Sequence, residues 1–207
     1  MAVRSEISSL EMVLTHRPGL EHKYVSPSHV REMVVKNGKF IPNPNFILFD
    51  DITDHLKIGN EHDNLTKVLN AWTDGNCVEI TVLLSELFEN LKIRKSVFDE
   101  CINLDEANYN IQYVKDSTFI NSLSSLEFIN MIIHGQIKGQ KVFHLPLPNY
   151  MWTRDIGVVF GNSILITNAF FPARKRENIL STCLFNNHSF FKDFNKINIK
   201  EFSDDLS

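Results

Sequence analysis

The chain has 207 residues, 43% of them hydrophobic and 22% charged, and its 21 Lys and Arg against 25 Asp and Glu leave a formal charge of -4. This composition is typical of a globular protein of one or two domains. It has no basic surplus to bind a phosphate backbone and no apolar run near the ~18 residues of a membrane span. Neither nucleic acid nor a membrane is therefore expected as a partner.

The cysteines and the start of the chain bear on location and on cofactors. The 3 cysteines form no C-x-x-C pair, so neither a disulfide framework nor a cysteine-based metal site is expected. The first twenty residues carry charges and show no export signal. We expect a cytoplasmic protein that holds no metal.

The first elements in chain order are predicted to be strands and helices in alternation. Residues 10–16 mix β-branched and apolar side chains and predict a strand, and residues 30–37 predict a short helix. Residues 47–49 predict a brief buried strand. Apolar residues spaced by three and four over 54–72 predict an amphipathic helix packed through its apolar stripe, and residues 77–83 predict a further strand.

The middle of the chain is predicted to be helical and the last third mixed. Residues 85–138 show few strand signals, and a helix is expected between the N-cap Ser124 and the terminating Gly135. Glycine and asparagine around two short apolar runs predict a hairpin over 157–166. A helix is predicted over 173–184, followed by an aromatic but irregular remainder.

Residues between Pro146 and Asp155 form the most informative segment. Asn149 offers an amide, Trp152 a broad π face and Asp155 a carboxylate, and a planar guanidinium can stack on an aromatic ring while a carboxylate accepts its N–H groups. Trp152 with Asp155 therefore fits a guanidinium clamp. The alternative is that Trp152 lies in the core while Arg154 and Asp155 form surface ion pairs.

Three consecutive cations, Arg174, Lys175 and Arg176, open the last predicted helix. The helix dipole disfavours positive charge at this end, so the cations fit a site for a carboxylate or phosphate. The alternative is a solvated charged turn.

Other polar groups are weaker candidates. Asp50 and Asp51 fit either a second anionic edge or a turn that binds backbone N–H groups. His62 has no partner at metal-ligand spacing, so we expect an exposed histidine. Glycine-rich nucleotide loops, G-x-S-x-G and H-E-x-x-H are absent from the sequence, which removes the usual support for nucleotide, serine-hydrolase and zinc-protease readings.

Short motifs spread along the chain resemble, in order, those of the arginine deiminases, members of the guanidino-modifying pentein superfamily. They are VRSEI (3–7), HRPG (16–19), LFDDI (48–52), EHD (61–63), PLPN (146–149), TRD (153–155) and the alanine, arginine and glutamate positions of ARKRE (173–177). Residues 123–137 also resemble the last helix of the insert that separates deiminases from smaller dimethylarginine hydrolases.

The resemblance implies an α/β fold, a partial pentein propeller of about two ββαβ modules with a helical insert. The first module would span residues 1–84, the insert 85–140 and the second module 141–207. The family's reaction converts L-arginine and water to L-citrulline and ammonia without a metal or organic cofactor.

The resemblance also implies roles for the residues of the proposed clamp. Asp155 would be the catalytic carboxylate that binds the guanidinium, and Trp152, usually phenylalanine in the family, would stack on it. The remaining substrate contacts implied are Asn149, the backbone around Leu48, and Arg174 for the α-carboxylate, with Arg176 as its fallback.

The chain departs from the family in its catalytic residues. A cysteine thiolate and a histidine perform the family's chemistry, but the Glu-Gly-Gly-Asp stretch, the His-x-Asp and the C-terminal cysteine have no counterpart here. Cys77, Cys101 and Cys183 are predicted to be buried or structural. We expect an N-terminal half that is inactive alone and that associates with a C-terminal half, a partner chain or itself.

Two alternatives remain at this point. One is a non-catalytic module that binds arginine or a related guanidino compound, which would keep the clamp without a thiolate. The other is a different guanidino-group hydrolase or an amidinotransferase on the same scaffold.

Overall fold

The computed structural model describes residues 3–5, 7–47, 52–109 and 117–205, and it has a mixed α/β fold. The helices are α1 (Leu20–Lys23), α2 (His55–Trp72), α3 (Ile80–Leu87), α4 (Leu91–Tyr109), α5 (Ser117–Ser122), α6 (Ser125–His134), α7 (Thr153–Ile156) and α8 (Lys175–Asn187). The strands are β1 (Val13–Thr15), β2 (Met33–Lys36), β3 (Lys39–Pro42), β4 (Cys77–Glu79), β5 (Gln136–Ile137), β6 (Gln140–Lys141), β7 (Gly157–Phe160), β8 (Ser163–Ile166) and β9 (Asn195–Asn198).

The N-terminal region pairs β1 with β4 in parallel, with α2 between them in the chain. The Asp54 carboxylate caps α2 by accepting hydrogen bonds from the next turn, which confirms the predicted helix. Its predicted packing is wrong, because the stripe of Leu65, Val68 and Trp72 is 50% to 72% exposed. The helix instead packs through Gly59, where a Cβ would lie 2.9 Å from the Arg17 guanidinium nitrogens.

Two predictions in this region are corrected. Residues 30–37 do not form a helix, because Val34 and Val35 lie in β2, which pairs antiparallel with β3 across a turn whose Asn37 and Gly38 both have positive φ. The strand predicted over 77–83 ends at Glu79, and α3 begins at Ile80. The predicted strand at 47–49 lies largely outside the described residues, although Ile47 is buried.

The described part of the middle region is mainly helical, as predicted. The Ser124 hydroxyl and the side chain of Glu127 form a reciprocal capping box at the start of α6, and Gly135 ends the helix with φ of 76°. The buried Arg94 guanidinium donates to the carbonyls of Phe88 and Leu123 and so satisfies backbone acceptors between the helices.

The C-terminal region forms one three-stranded sheet in the order β7, β8, β9. β7 and β8 make the predicted antiparallel hairpin, and the chain crosses through α8 to β9, which runs parallel to β8. The irregular end predicted after residue 184 is therefore wrong at β9. Side chains of α3, α4, α6, β8 and α8 share the main hydrophobic core.

None of the helices in the described ranges combines the length and the apolar composition that a bilayer-spanning segment requires.

Candidate functional site

The segment that carries Trp152 and Asp155 is fixed by consecutive turns. A short 3-10 helix over Pro148–Met151 precedes α7, the Trp152 N–H donates to the Asn149 carbonyl at 2.9 Å, and the Asp155 N–H donates to the Trp152 carbonyl at 2.9 Å. The Thr153 hydroxyl donates to the Leu14 carbonyl at 2.8 Å and anchors the segment to β1. Trp152 and Asp155 are thus held on one short stretch of ordered backbone.

Asn149 performs a structural task in this segment. Its side chain is 2% exposed, and its amide Nδ2 donates to the backbone carbonyl of Ile47. Asn149 therefore ties the Trp152 segment to the backbone immediately before Leu48. Leu48 itself, with Asp50 and Asp51, lies outside the described residues.

Asp155, Arg174 and Glu177 form an ion cluster that we call the Arg174 cluster. Arg174 Nη1 lies 3.1 Å from Asp155 Oδ2, while Nε and Nη2 donate to Glu177 Oε2 at 3.0 and 2.8 Å. The side chain of Glu177 is 2% exposed, that of Arg174 15% and that of Asp155 46%. One guanidinium is therefore shared between a buried carboxylate and a carboxylate that faces solvent.

Burial sets the protonation properties of this cluster. Desolvation raises the pKa of Glu177 to about 7, against the opposing effect of Arg174. Burial by itself would lower the pKa of Arg174, but Glu177 and Asp155 outweigh it and raise that pKa above its ordinary value. Within the described part of the chain, Glu177 Oε1 and the Tyr150 hydroxyl are buried without a hydrogen-bond partner.

Arg176 is separated from this cluster, and the prediction that it could replace Arg174 is wrong. Its guanidinium is buried, donates to the carbonyls of Ile132 and Leu145, and lies 4.5 Å from the centroid of the Phe143 ring. Arg176 therefore holds α8 against α6. Because Arg174 and Arg176 are two positions apart, their side chains project in different directions from the start of α8.

Trp152 lies at the surface. Its side chain is 52% exposed, so the alternative that Trp152 belongs to the core is wrong. The ion pair of Asp155 in the structure is with Arg174. Trp152 and Asp155 are both open to solvent.

A second ion cluster was not predicted, and we call it the buried histidine cluster: His16, His22 and His134 around Glu21, with Glu79 beside His16. The Nε2 atoms of His16, His22 and His134 lie 3.7, 3.7 and 3.5 Å from the Glu21 carboxylate, and His16 Nδ1 lies 2.9 Å from Glu79. Burial would lower the pKa of His16, but Glu21 and Glu79 outweigh it and raise that pKa to about 9.

The buried histidine cluster supports the Trp152 segment. The His16 ring meets the Tyr150 ring edge-on at 5.2 Å, and Tyr150 lies between Asn149 and Trp152 in the chain. The only local sign in the sequence is the HRPG motif followed by Glu21 and His22, because Glu79 and His134 are distant along the chain.

The remaining candidates are structural. Cys101 and Cys183 are buried as predicted, and burial raises the pKa of both thiols, that of Cys183 to about 11. Cys77 is half-buried. His62 is also half-buried, rather than exposed as predicted, because it lies beside the packed face of α2. No group of three His, Cys, Asp or Glu within the described ranges is arranged to hold a metal ion.

Comparison with known proteins identifies relatives of the whole chain. Residues 45–205 match the family model for arginine deiminase. The arginine deiminase of Lactococcus lactis subsp. lactis is 30% identical over 92% of this chain and 48% of its own length. The arginine deiminases of Listeria monocytogenes serotype 4a (27% identical, 92% and 47% covered) and Staphylococcus aureus JH9 (28% identical, 93% and 47% covered) are similar. The chain spans about half the length of the curated relatives it matches.

Proposed function

The chain belongs to the arginine deiminase family, and from that premise we propose that it supplies the substrate-binding half of an arginine deiminase-type hydrolase in the cytoplasm. The reaction would be L-arginine plus water to L-citrulline plus ammonia. The observation that carries the proposal is the Arg174 cluster, where Asp155 already forms an ion pair with a guanidinium at 3.1 Å. The carboxylate is thus accessible and oriented for the group that the substrate would present.

Each residue has a role in this proposal. Asp155 accepts N–H groups of the substrate guanidinium and keeps its charge localised near the reacting carbon. The exposed Trp152 indole covers the planar cation, and Arg174 binds the α-carboxylate. Asn149 holds the segment against Ile47 and, with the backbone at Leu48, completes the binding shell.

The chemical step requires groups beyond this site. In the reaction a thiolate attacks the guanidinium carbon, ammonia leaves with a proton from a histidine, and water then releases citrulline and regenerates the thiolate. Cys101 and Cys183 are buried and Cys77 is only half-exposed on β4, so none of them is suited to this role. We propose that a further polypeptide or chain segment supplies the thiol and the histidine and that this chain alone is inactive.

We also propose a division of the chain into two pentein modules and an insert. The β7, β8, α8, β9 unit has the ββαβ order expected of one pentein module, which supports residues 141–207 as a module. Residues 1–84 would form the other module and residues 85–140 the insert. The exposed apolar stripe of α2 supports a further polypeptide or a second copy of this chain as a partner.

A non-catalytic module that binds a guanidino ligand is the second candidate. The burial of Cys101 and Cys183 favours it, because ligand binding needs only Trp152, Asp155 and Arg174. The two candidates share one binding site and differ in whether a thiol is supplied to it.

Calorimetric titration of the purified chain with L-arginine tests the shared site. We expect Asp155→Asn to weaken L-arginine binding at least about 30-fold, the loss of one charged hydrogen-bonded pair. Asp63→Asn is the matched control, since Asp63 is also a part-exposed carboxylate paired with an arginine, at 2.7 Å from Arg17. An unchanged affinity in Asp155→Asn, or no binding by the unmodified chain, would contradict the proposal.

A further inference from the structure

Arg174, which is proposed to bind the substrate carboxylate, forms an ion pair with Asp155. Asp155 is in turn proposed to bind the substrate guanidinium. Arg174 Nη1 is 3.1 Å from Asp155 Oδ2. Chemically, the Arg174 side chain ends in the same group that the ligand would bring to Asp155. The internal pair and the ligand pair therefore use one acceptor.

The two cations compete for one carboxylate. A guanidinium binds a carboxylate most strongly through two parallel hydrogen bonds, which use both oxygens. A second guanidinium on the same carboxylate would also be repelled by the first at short distance. A guanidino ligand that takes both oxygens of Asp155 must therefore displace Arg174 from Asp155.

Glu177 provides the second anchor for the displaced arginine. It accepts from Nε and Nη2 of Arg174, on the side of the guanidinium that does not face Asp155. Glu177 is buried on the first turn of α8, three residues from Arg174, so its position is fixed by the helix. Arg174 can leave Asp155 without leaving Glu177, and its Nη1 edge then becomes free for another anion.

We infer that Arg174 is an internal competitor for Asp155, that Glu177 is the positioning residue that retains it, and that a guanidino ligand binds by exchange with Arg174. This inference rests on the proposed role of Asp155. A guanidino acid replaces the lost Asp155 contact of Arg174 with its own carboxylate. A guanidino amine offers no such replacement, so it must displace Arg174 without compensation.

Titration with L-arginine and with agmatine, the same molecule without its carboxylate, tests this competition. In Arg174→Gln we expect L-arginine to bind about tenfold more weakly, because its carboxylate partner is gone. Agmatine should bind about fivefold more tightly, because the competing ion pair is gone. An arginine that served only as a carboxylate ligand would leave agmatine binding unchanged.

A control separates competition from a general change in charge. Lys175→Gln removes a positive charge one residue away, from a lysine that donates to Asn168 at 3.1 Å. If agmatine affinity rises equally in Lys175→Gln, the effect is a field effect and the inference is wrong. If Arg174→Gln fails to fold, as judged by circular dichroism, Arg174→Lys replaces it, since lysine cannot span both carboxylates and should also release Asp155.

Glu177→Gln tests the retaining role by a readout that a purely structural residue would not change. Arg174 would then depend on Asp155 alone, so the 15N NMR signal of its Nε–H should shift and both ligands should bind about threefold more weakly. An unchanged Nε–H signal contradicts the role of Glu177. If L-arginine binding depends on Asp155 but agmatine binding is unaffected by Arg174→Gln, the inference is wrong and the proposed function stands. If the chain does not bind L-arginine at all, both the inference and the proposed function are wrong.

Discussion

The Arg174 cluster and the buried histidine cluster are arranged alike but differ in their exposure to solvent. Each shares one cation between a deeply buried carboxylate and a more exposed one: Arg174 between Glu177 and Asp155, and His16 between Glu21 and Glu79. The side chain of Asp155 is 46% exposed, whereas that of Glu79 is 28% exposed and also accepts from the Arg17 N–H.

From this difference in exposure we expect the buried histidine cluster to contribute to stability and the Arg174 cluster to ligand binding. The buried histidine cluster joins the ends of β1 and β4 to α1 and α6, so its ion pairs form with folding and have no exchange partner in solvent. In the Arg174 cluster Asp155 faces water, and we propose that it exchanges its cation for a ligand. Substitutions in the two clusters should therefore change different measurements.

The largest effect is expected from Glu21→Gln. This change removes the buried carboxylate that pairs with His16 and should lower the free energy of unfolding by about 4 kcal/mol, the cost of breaking a buried ion pair. Urea denaturation measures it. Asp63→Asn, which breaks an exposed pair with Arg17, should cost under about 1 kcal/mol, and equal losses in the two variants would show that burial does not distinguish the clusters.

The next effect is on pH dependence. Because the pKa of His16 rises from 6.5 to about 9 on folding, its contribution is complete below pH 6.5 and is lost as the pH rises through 9. From pH 6.5 to 10 the free energy of unfolding should fall by about 3 kcal/mol. His22 and His134, whose pKa values burial lowers, contribute no such alkaline loss. A His16→Gln chain with the same alkaline loss would show that another group causes it.

A smaller effect is expected from Trp152 in the binding site. Trp152→Ala should weaken L-arginine binding about fivefold, the value of one partly exposed cation–π contact, and Trp152→Phe should change it less than about threefold. Neither should alter the unfolding midpoint, because the indole is 52% exposed. Equal binding by the alanine variant and the unmodified chain would remove Trp152 from the site.

The smallest effect is expected on the free energy of unfolding when the Arg174 cluster is changed. Asp155→Asn should change the free energy of unfolding by less than about 0.5 kcal/mol, because Arg174 keeps its two hydrogen bonds to Glu177. Thermal unfolding followed by circular dichroism measures it. A loss comparable to that of Glu21→Gln would mean that the Arg174 cluster is structural rather than a binding site.

Elements with local signals were predictable from the sequence. The Ser124 cap and Gly135 fix the ends of α6 through contacts within a few residues, so sequence is sufficient there. The Asn37-Gly38 turn is an equally local hairpin signal that the apolar spacing of residues 30–37 obscured. β9 had no local signal, since its Asn and Lys residues are poor strand formers and the strand exists because it pairs with β8.

The residue types of the candidate site could be proposed from the sequence, but the contacts between those residues could not. The chemistry of Trp152 and Asp155 follows from their side chains, whereas the choice between Arg174 and Arg176 depends on which of them α8 buries. The buried histidine cluster brings together residues from distant parts of the chain, among them Glu79 and His134. Spacing in the sequence cannot reveal such a cluster.

A crystal structure of the chain with bound L-arginine tests the central claim most directly. We expect the ligand guanidinium on the Asp155 carboxylate against Trp152, with Arg174 turned to the ligand carboxylate and still bonded to Glu177. L-arginine bound elsewhere, or bound while Arg174 stays on Asp155, would contradict the account.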